Sequence, residues 1–322
     1  MSLKTNSYLF SLLVLATTPG VAVAQAFPAR AIRLVVPSAP GGGTDILARV
    51  LANKLTEYLG QQVVVDNRAG AGTTIGIDSV AKSAPDGYTV LVSPSTLALN
   101  VWMYAKLPYD AMRDLAPLTQ IAAVPNALVV HPSVPARSVA DLIALAKKQP
   151  GEINVGSAGI GTSPHLSLEL FKHLAKINLV HVPYKGSGAA VIAHLSGEIS
   201  AQIPSLPTAM GYIRTNRLRV LGVTTVKRSP FLPDVPAIGE TVPGYEATQW
   251  FGFLTTAGTP PPVLDRLSQE AIRALRSADV AKHMANEGAE IVASTPAQFA
   301  AYIKAETEKW GRVIKAAGIK PQ

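Results

Sequence analysis

The sequence predicts an α/β protein built from two lobes. Short β-branched runs alternate with segments of helical periodicity along the chain, which is typical of parallel strands joined by crossover helices. The chain has 322 residues, and about 300 remain without a predicted leader, enough for two lobes with separate cores. No internal repeat or low-complexity linker divides it, so we expect strands that cross between the lobes.

Strands and helices alternate first in the N-terminal third. The apolar residues of the first helix fall on one face, as expected for an amphipathic helix: Ile46, Leu47, Val50, Leu51 and Leu55. The predicted strands are Ile32–Val36, Val63–Val65 and Tyr88–Val92, and a second helix runs through Ile75, Ile77 and Val80.

A second series of elements begins after residue 120. Ser138 and Asp141 form a capping-box-like pair at one helix start, and Ser163-Pro164 begins another helix. The predicted strands are Ala127–Val130, Ile153–Val155, Leu179–Val182, Ile199–Ile203 and Leu218–Thr225, and further helices begin at Pro260 to Pro262 and at Thr295-Pro296. We expect one lobe to contain residues 27–120 plus 225–322, and the other residues 121–224.

The first 26 residues are typical of a secretory signal peptide. Lys4 precedes a short apolar run, Tyr8–Ala16, and small residues that fit an A-x-A cleavage site follow. The run is too short for a membrane anchor, which needs about 20 residues. We therefore expect a periplasmic protein, soluble and without stable membrane insertion.

Composition excludes several classes of function. The chain has no cysteine, so disulfides, thiolate metal sites and a cysteine nucleophile are excluded. The formal net charge is +8 and aromatic residues make up 6 %. The basic residues are scattered and no stacking platform is evident, so we expect no nucleic-acid partner. The six histidines form no H-E-x-x-H pattern, and we expect neither a metal nor a cofactor.

Three glycine-rich segments each follow a strand and precede a helix. They are Pro40–Asp45, Asn67–Gly76 and Gly156–Ser163. Such loops bring backbone amides and the positive end of a helix dipole to the crevice at the carboxyl ends of the strands. Together they predict a carboxylate site, although any one alone could be only a tight turn. The second loop is one residue too long for a dinucleotide fingerprint.

Individual side chains leave alternatives open. Asp45 could be a catalytic acid or a helix cap that orders the amides of its loop. His165 could donate to a ligand or be structural. Tyr184 could line the cleft, with Lys185 facing solvent. No G-x-S-x-G elbow is present, and we expect no enzyme, although a dispersed Ser/His/Asp triad stays open.

The chain resembles the Bug receptors, the extracytoplasmic binding proteins of tripartite tricarboxylate transporters. The resemblance covers the chain after the leader and is carried by PSAPGGGTDILAR (37–49), VVVDNRAGAGTTIG (63–76), PDGYTVL (85–91), VPYKGSG (182–188), KRSPFLPDVPAIGE (227–240) and WFGFLTTAGTPPPV (250–263). It implies a type II periplasmic-binding-protein fold with a ligand cleft between two lobes. It also implies two membrane permease partners, a monomer, and a ligand carboxylate held by backbone amides and waters.

The resemblance also assigns candidate ligand-binding residues. In the first lobe these are Gly42, Gly43, Thr44, Asp45, Gly72, Thr73 and Thr74, and across the cleft Ser157, Thr162 and His165. We add Tyr184 and Ser205 as candidate ligand-binding residues on the basis of their positions in the chain.

One departure from the family pattern bears on the ligand. Pro204-Ser205 stands where family members often have Asp-Asn. A ligand ammonium would lose one partner, so we expect a mono- or dicarboxylate without an amine. The alternatives are a sensor protein that presents its ligand to a membrane kinase, and a periplasmic α/β enzyme acting on a carboxylate.

Overall fold

A computed structural model describes residues 27–316, 318–319 and 321. The predicted signal peptide, residues 1–26, lies outside the described residues. The strands are β1 (Ile32–Val36), β2 (Val63–Asn67), β3 (Thr89–Pro94), β4 (Leu115–Val124), β5 (Ala127–Val130), β6 (Asn154–Ser157), β7 (Val180–Pro183), β8 (Ala201–Gln202), β9 (Arg219–Val223), β10 (Gln249–Thr256) and β11 (Glu290–Ile291).

Helices follow most strands, as the sequence periodicity predicts. They are α1 (Gly43–Leu59), α2 (Thr74–Ala81), α3 (Thr96–Met103), α4 (Val139–Lys148), α5 (Ser163–Ala175), α6 (Ser187–Leu195), α7 (Leu206–Arg214), α8 (Pro261–Leu275), α9 (Ala278–Asn286) and α10 (Pro296–Ala316). The capping pair of α4 is confirmed, because the Asp141 amide donates to Ser138 Oγ at 3.1 Å.

The strands form two sheets, one in each lobe. The first has the order β11-β4-β10-β3-β1-β2 and the second the order β7-β6-β8-β5-β9. Strand β1 is buried on both faces: Leu34 packs into the core with α1 and α8, and Val35 into the core with Trp250 and Phe299. Two buried faces explain why every residue of this strand except Arg33 is apolar.

Both sheets are mixed, whereas the alternation of strands and helices predicted parallel sheets. Pairs β1-β2, β1-β3, β6-β7 and β6-β8 are parallel, but β10 is antiparallel to β3 and β4, and β5 is antiparallel to β8 and β9. The sequence analysis assigned neither β4, which contains Pro117, nor β10, which contains Gly252. These two strands supply the antiparallel pairs of the first sheet.

The chain passes from one sheet to the other between β4 and β5 and again between β9 and β10, and the start of α7 lies beside these connections. Only Pro125 and Asn126 separate β4 from β5. The Asn126 amide donates to Thr224 Oγ1 at 2.9 Å, and the Leu206 amide donates to the Pro125 carbonyl oxygen at 2.9 Å. These bonds hold the crossing segments side by side, which confirms that crossing strands join the lobes.

Helices also pack against the core of the opposite sheet, including α3, whose Leu99 and Met103 lie in the core of the second sheet. Met210 of α7, which follows a strand of the second sheet, lies in the core of the first sheet. Trp310 and Ile314 of α10 lie in the core of the second sheet. The lobe boundaries predicted from the sequence stay a prediction, and β4 extends the first sheet to Val124.

Candidate ligand-binding cleft

A cavity of about 260 Å³ lies between the two lobes. Within the described chain, six helices begin at its wall. The wall residues at these helix starts are Gly43 (α1), Thr73 (α2), Thr96 (α3), Ser163 (α5), Ser187 (α6) and Ser205 (α7). Helix N-termini carry unpaired amides and the positive end of the dipole. Their convergence gives the cavity wall several amide donors and a positive potential without requiring an arginine.

Side-chain charge is almost absent from this wall. Among the described lining residues, Lys185 alone is charged, and it is exposed to solvent as the sequence predicted. None of the aspartates and glutamates that the structure describes lines the cavity. A ligand carboxylate therefore meets amides and hydroxyl groups, whereas a ligand ammonium meets no carboxylate partner.

Asp45 organises the first loop from behind the cavity wall. Its Oδ2 accepts hydrogen bonds from the Gly41 amide and from Arg49 Nε, each at 3.0 Å, and its Oδ1 accepts one from Asn67 Nδ2 at 2.9 Å. Burial alone would raise the pKa of Asp45, but the bonds from Arg49, Gly41 and Asn67 outweigh it and hold the pKa below its usual value.

Asp45 is thus an ionised acceptor that fixes a loop amide, which was one of its two predicted roles. It is not the cap residue itself, because Gly42 occupies that position and Asp45 is the third helical residue. Asp45 does not line the cavity, and a direct contact between its side chain and the ligand finds no support in this geometry.

Two hydroxyl groups at the start of α7 hold the Gly43 amide of the first loop. The Gly43 amide donates to Thr208 Oγ1 at 2.8 Å, and Ser205 Oγ lies 3.0 Å from the same atom. The amides of Gly42 and Thr44 make no hydrogen bond to any described residue. They are the free donors that this loop offers to the cavity.

The second loop depends on a left-handed turn at Gly72, whose φ is +58°. Thr73 Oγ1 lies 2.8 Å from Thr96 Oγ1, and Asn100 Nδ2 donates to the Gly72 carbonyl oxygen at 3.2 Å. Thr74 Oγ1 donates to the Ala71 carbonyl oxygen at 2.8 Å and does not line the cavity. The loop is therefore shaped by its own threonines together with Thr96 and Asn100 of α3.

Neutral histidines organise the third loop. His165 Nδ1 accepts a hydrogen bond from the Gly161 amide at 3.1 Å, and its ring stacks on that of His181 with 4.2 Å between centroids. Ser157 Oγ lies 2.6 Å from His181 Nε2 and accepts from the Gly159 amide at 3.1 Å. Burial lowers the pKa of both histidines to about 4.

The lobes contact each other at two edges of the cleft. A Cβ atom on Gly188 of α6 would lie 2.5 Å from the Pro40 carbonyl oxygen. A Cβ atom on Gly72 would lie 2.7 Å from the Ile160 carbonyl oxygen. Each lobe therefore presents bare backbone to the other, and the cleft is closed at both contacts.

The cavity wall contains most, not all, of the predicted site residues. Gly42, Gly43, Thr44, Gly72, Thr73, Thr162, Tyr184 and Ser205 line it, and Asp45, Thr74, Ser157 and His165 lie behind it. The wall also contains polar residues that were not predicted from the sequence, among them Ser38, Thr96, Tyr104 and Gln249. Ser38 and Thr96 follow strands β1 and β3, a signal that could have found them, whereas Tyr104 and Gln249 carry no such signal.

The hydroxyl group of Tyr184 is hydrogen-bonded to a carboxylate that does not line the cavity. Its hydroxyl donates to Glu198 Oε1 at 2.6 Å, and burial together with this carboxylate raises its pKa to about 12. The ring forms part of the wall, while the hydroxyl hydrogen is engaged with Glu198.

The described residues show neither a cluster of metal ligands nor a membrane-spanning helix. Among the residues that the structure describes, no group of three His, Asp or Glu side chains could hold a metal ion. No helix in the described part is long and apolar enough to cross a bilayer.

The family model of the tripartite tricarboxylate transporter family receptor (TctC) matches residues 47–319. The chain belongs to this receptor family. Protein BugT of Bordetella pertussis is 40 % identical over 309 residues, which cover 94 % of this chain and 95 % of BugT. The predicted membership of the Bug receptors is thereby confirmed.

Solved structures of the family have the same fold. R. palustris Rpa4515 with adipate has a TM-score of 0.90 and 37 % identity, covering 92 % of this chain and all of that one. The periplasmic binding protein BugD has a TM-score of 0.90 and 31 % identity over 92 % of this chain. MatC from Rhodopseudomonas palustris with bound malate has a TM-score of 0.86 and 29 % identity over 89 %. These matches confirm the predicted type II periplasmic-binding-protein fold for this TctC-family receptor.

Proposed function

We propose that this receptor captures a small carboxylate without an amino group in the periplasm and delivers it to the permease subunits of a tripartite transporter. The observation that carries the proposal is the convergence of six helix N-termini on one cavity. Free amides at Gly42 and Thr44 add donors at the point where the dipole of α1 is positive.

The exclusion of an amine rests on the absence of carboxylates from the described cavity wall. Pro204 stands where family members often have an acid, and the Ser205 hydroxyl beside it is engaged with Thr208. A desolvated ammonium without a carboxylate or several acceptors is costly. The ligands named for the two R. palustris relatives, adipate and malate, are also acids without an amine.

We propose further that the protein catalyses no reaction. Ser157 and His181 form a close hydroxyl–imidazole pair, but Ser157 is completely buried and does not line the cavity. A nucleophile needs a reacting atom within reach, and among the described residues this hydroxyl contacts His181 and the Gly159 backbone behind the cavity wall.

A thermal-shift screen tests the proposed function. Residues 27–322, purified and freed of copurified ligand by unfolding and refolding, are screened against mono-, di- and tricarboxylates, aromatic acids and amino acids. A ligand at a hundred times its dissociation constant stabilises the folded state by about 2.7 kcal/mol. We expect shifts confined to acids without an amine; tightest binding of glutamate or aspartate, or silence across the panel, contradicts the proposal.

A further inference from the structure

The wall of the cleft contains one amide side chain that is almost completely buried. Gln249 begins β10, pairs in register with Val124 of β4 and is 6 % exposed. Its Oε1 is buried without a hydrogen-bond partner among the described residues. Buried side-chain amides are nearly always hydrogen-bonded, so this one requires an explanation.

The neighbouring hydroxyl groups of the wall do not supply the missing partner. Ser205 is paired with Thr208 and Thr96 with Thr73, at 3.0 and 2.8 Å. Gln249 therefore has an unpaired side-chain amide in the cavity wall. The oxygen and nitrogen of an amide exchange places by a half-turn, so both orientations must be considered.

A ligand hydroxyl satisfies Gln249 in either orientation, because it donates to Oε1 or accepts from Nε2. A second carboxylate only accepts and leaves Oε1 unpaired, and an ammonium only donates. We propose that Gln249 is a specificity-determining residue of the cleft, which selects a carboxylic acid that also carries a hydroxyl group. This inference rests on the proposed function and names the second polar group of its ligand.

Matched acids with and without a hydroxyl group test the assignment. Isothermal titration calorimetry compares L-malate with succinate, 4-hydroxybenzoate with benzoate, and 6-hydroxyhexanoate with hexanoate. We expect the wild-type protein to bind the hydroxylated member of at least one pair ten times more tightly or better, because a site built to bond a hydroxyl discriminates strongly against its loss. This comparison requires no variant.

The variant Gln249→Met keeps the side-chain length and removes the amide. We expect it to lose the hydroxyl preference while the affinity for the acid without the hydroxyl changes less than twofold. Gln202→Met is the matched control, since Gln202 is a fully buried glutamine of β8 that does not line the cleft. It should keep the wild-type preference.

The outcomes separate the two proposals. If the wild-type protein binds acids but prefers no hydroxylated member, or if the preference survives in Gln249→Met, the assignment of Gln249 is wrong and the receptor function stands. If the wild-type protein binds no acid of the panel, the proposed function fails and the assignment fails with it.

Discussion

The first and third glycine-rich loops present backbone to the same cavity but are held in place by opposite chemistry. In the first loop an ionised carboxylate, Asp45, accepts from the Gly41 amide. In the third loop the acceptors are neutral: His165 accepts from the Gly161 amide and Ser157 from the Gly159 amide. Similar loop sequences therefore depend on supports that differ in charge and in their response to pH.

Of the variants considered for the two loops, Asp45→Ala should cause the largest loss of stability. It removes three hydrogen bonds to a charged acceptor and leaves the Gly41 amide without its acceptor, so we expect a loss of about 3 kcal/mol of stability. Urea unfolding measures it. Arg49→Ala is the matched control: the Arg49 side chain is 52 % exposed, and its loss should cost below about 1 kcal/mol. Equal losses of stability in Asp45→Ala and Arg49→Ala would show that the Asp45–Arg49 ion pair, and not the bond to the Gly41 amide, stabilises the loop.

Gly188→Ala tests the contact that the first loop makes across the cleft. The φ angle of Gly188 is not in the positive region, so the backbone conformation accepts an alanine. The added Cβ atom would instead clash with the Pro40 carbonyl oxygen of the other lobe. We expect a thirtyfold loss of ligand affinity, about 2 kcal/mol, with unchanged thermal stability of the free protein. Gly211 of α7 has open space around it, and Gly211→Ala should leave the affinity unchanged. Wild-type affinity in Gly188→Ala would mean that the contact is not needed for binding.

Acid should loosen the third loop before the first. The pKa of His165 falls from 6.5 to about 4 on folding because of burial and nearby Lys172, and that of His181 falls to about 4 because of burial and His165. Their neutral forms contribute stability that is complete above pH 6.5 and is lost as the pH falls toward 4. The pKa of Asp45 is lowered from 3.8, so its contribution is lost only below that pH.

We therefore expect the free energy of unfolding to fall between pH 6.5 and 4.5, with the third loop contributing about 1.5 kcal/mol. His165→Asn, whose amide oxygen can still accept from Gly161, should flatten this slope. The exposed His283 provides the control His283→Asn, which should follow the wild-type curve. An unchanged slope in His165→Asn would contradict the role of the stacked pair.

Ser157→Ala should have the smallest effect. It leaves the Gly159 amide without its acceptor and removes the contact with His181 Nε2. We expect a loss of about 1 kcal/mol of stability, measured by urea unfolding. Ligand affinity should change less than in Gly188→Ala because Ser157 lies behind the cavity wall. A larger loss of affinity than of stability would place this hydroxyl in contact with the ligand.

The loops themselves were predictable because their signal is local. Glycine after a strand and before a helix marks a backbone that faces a crevice, and Gly42, Gly72 and Thr162 do line the cavity. Thr208 was not predictable, because it reaches the Gly43 amide across 165 residues of sequence. Gln249 was missed for a similar reason: it lies on a crossing strand that has no clear sequence pattern.

The sequence by itself determined the α/β class, the strand–loop–helix units and the anion-binding character of the cleft, because each depends on residues close together in the chain. The tertiary structure decided the mixed sheets, the supports behind each loop and the glutamine in the cavity wall. Those features depend on which distant segments meet, and that is set by the packing of crossing strands and of helices such as α7 against the opposite core.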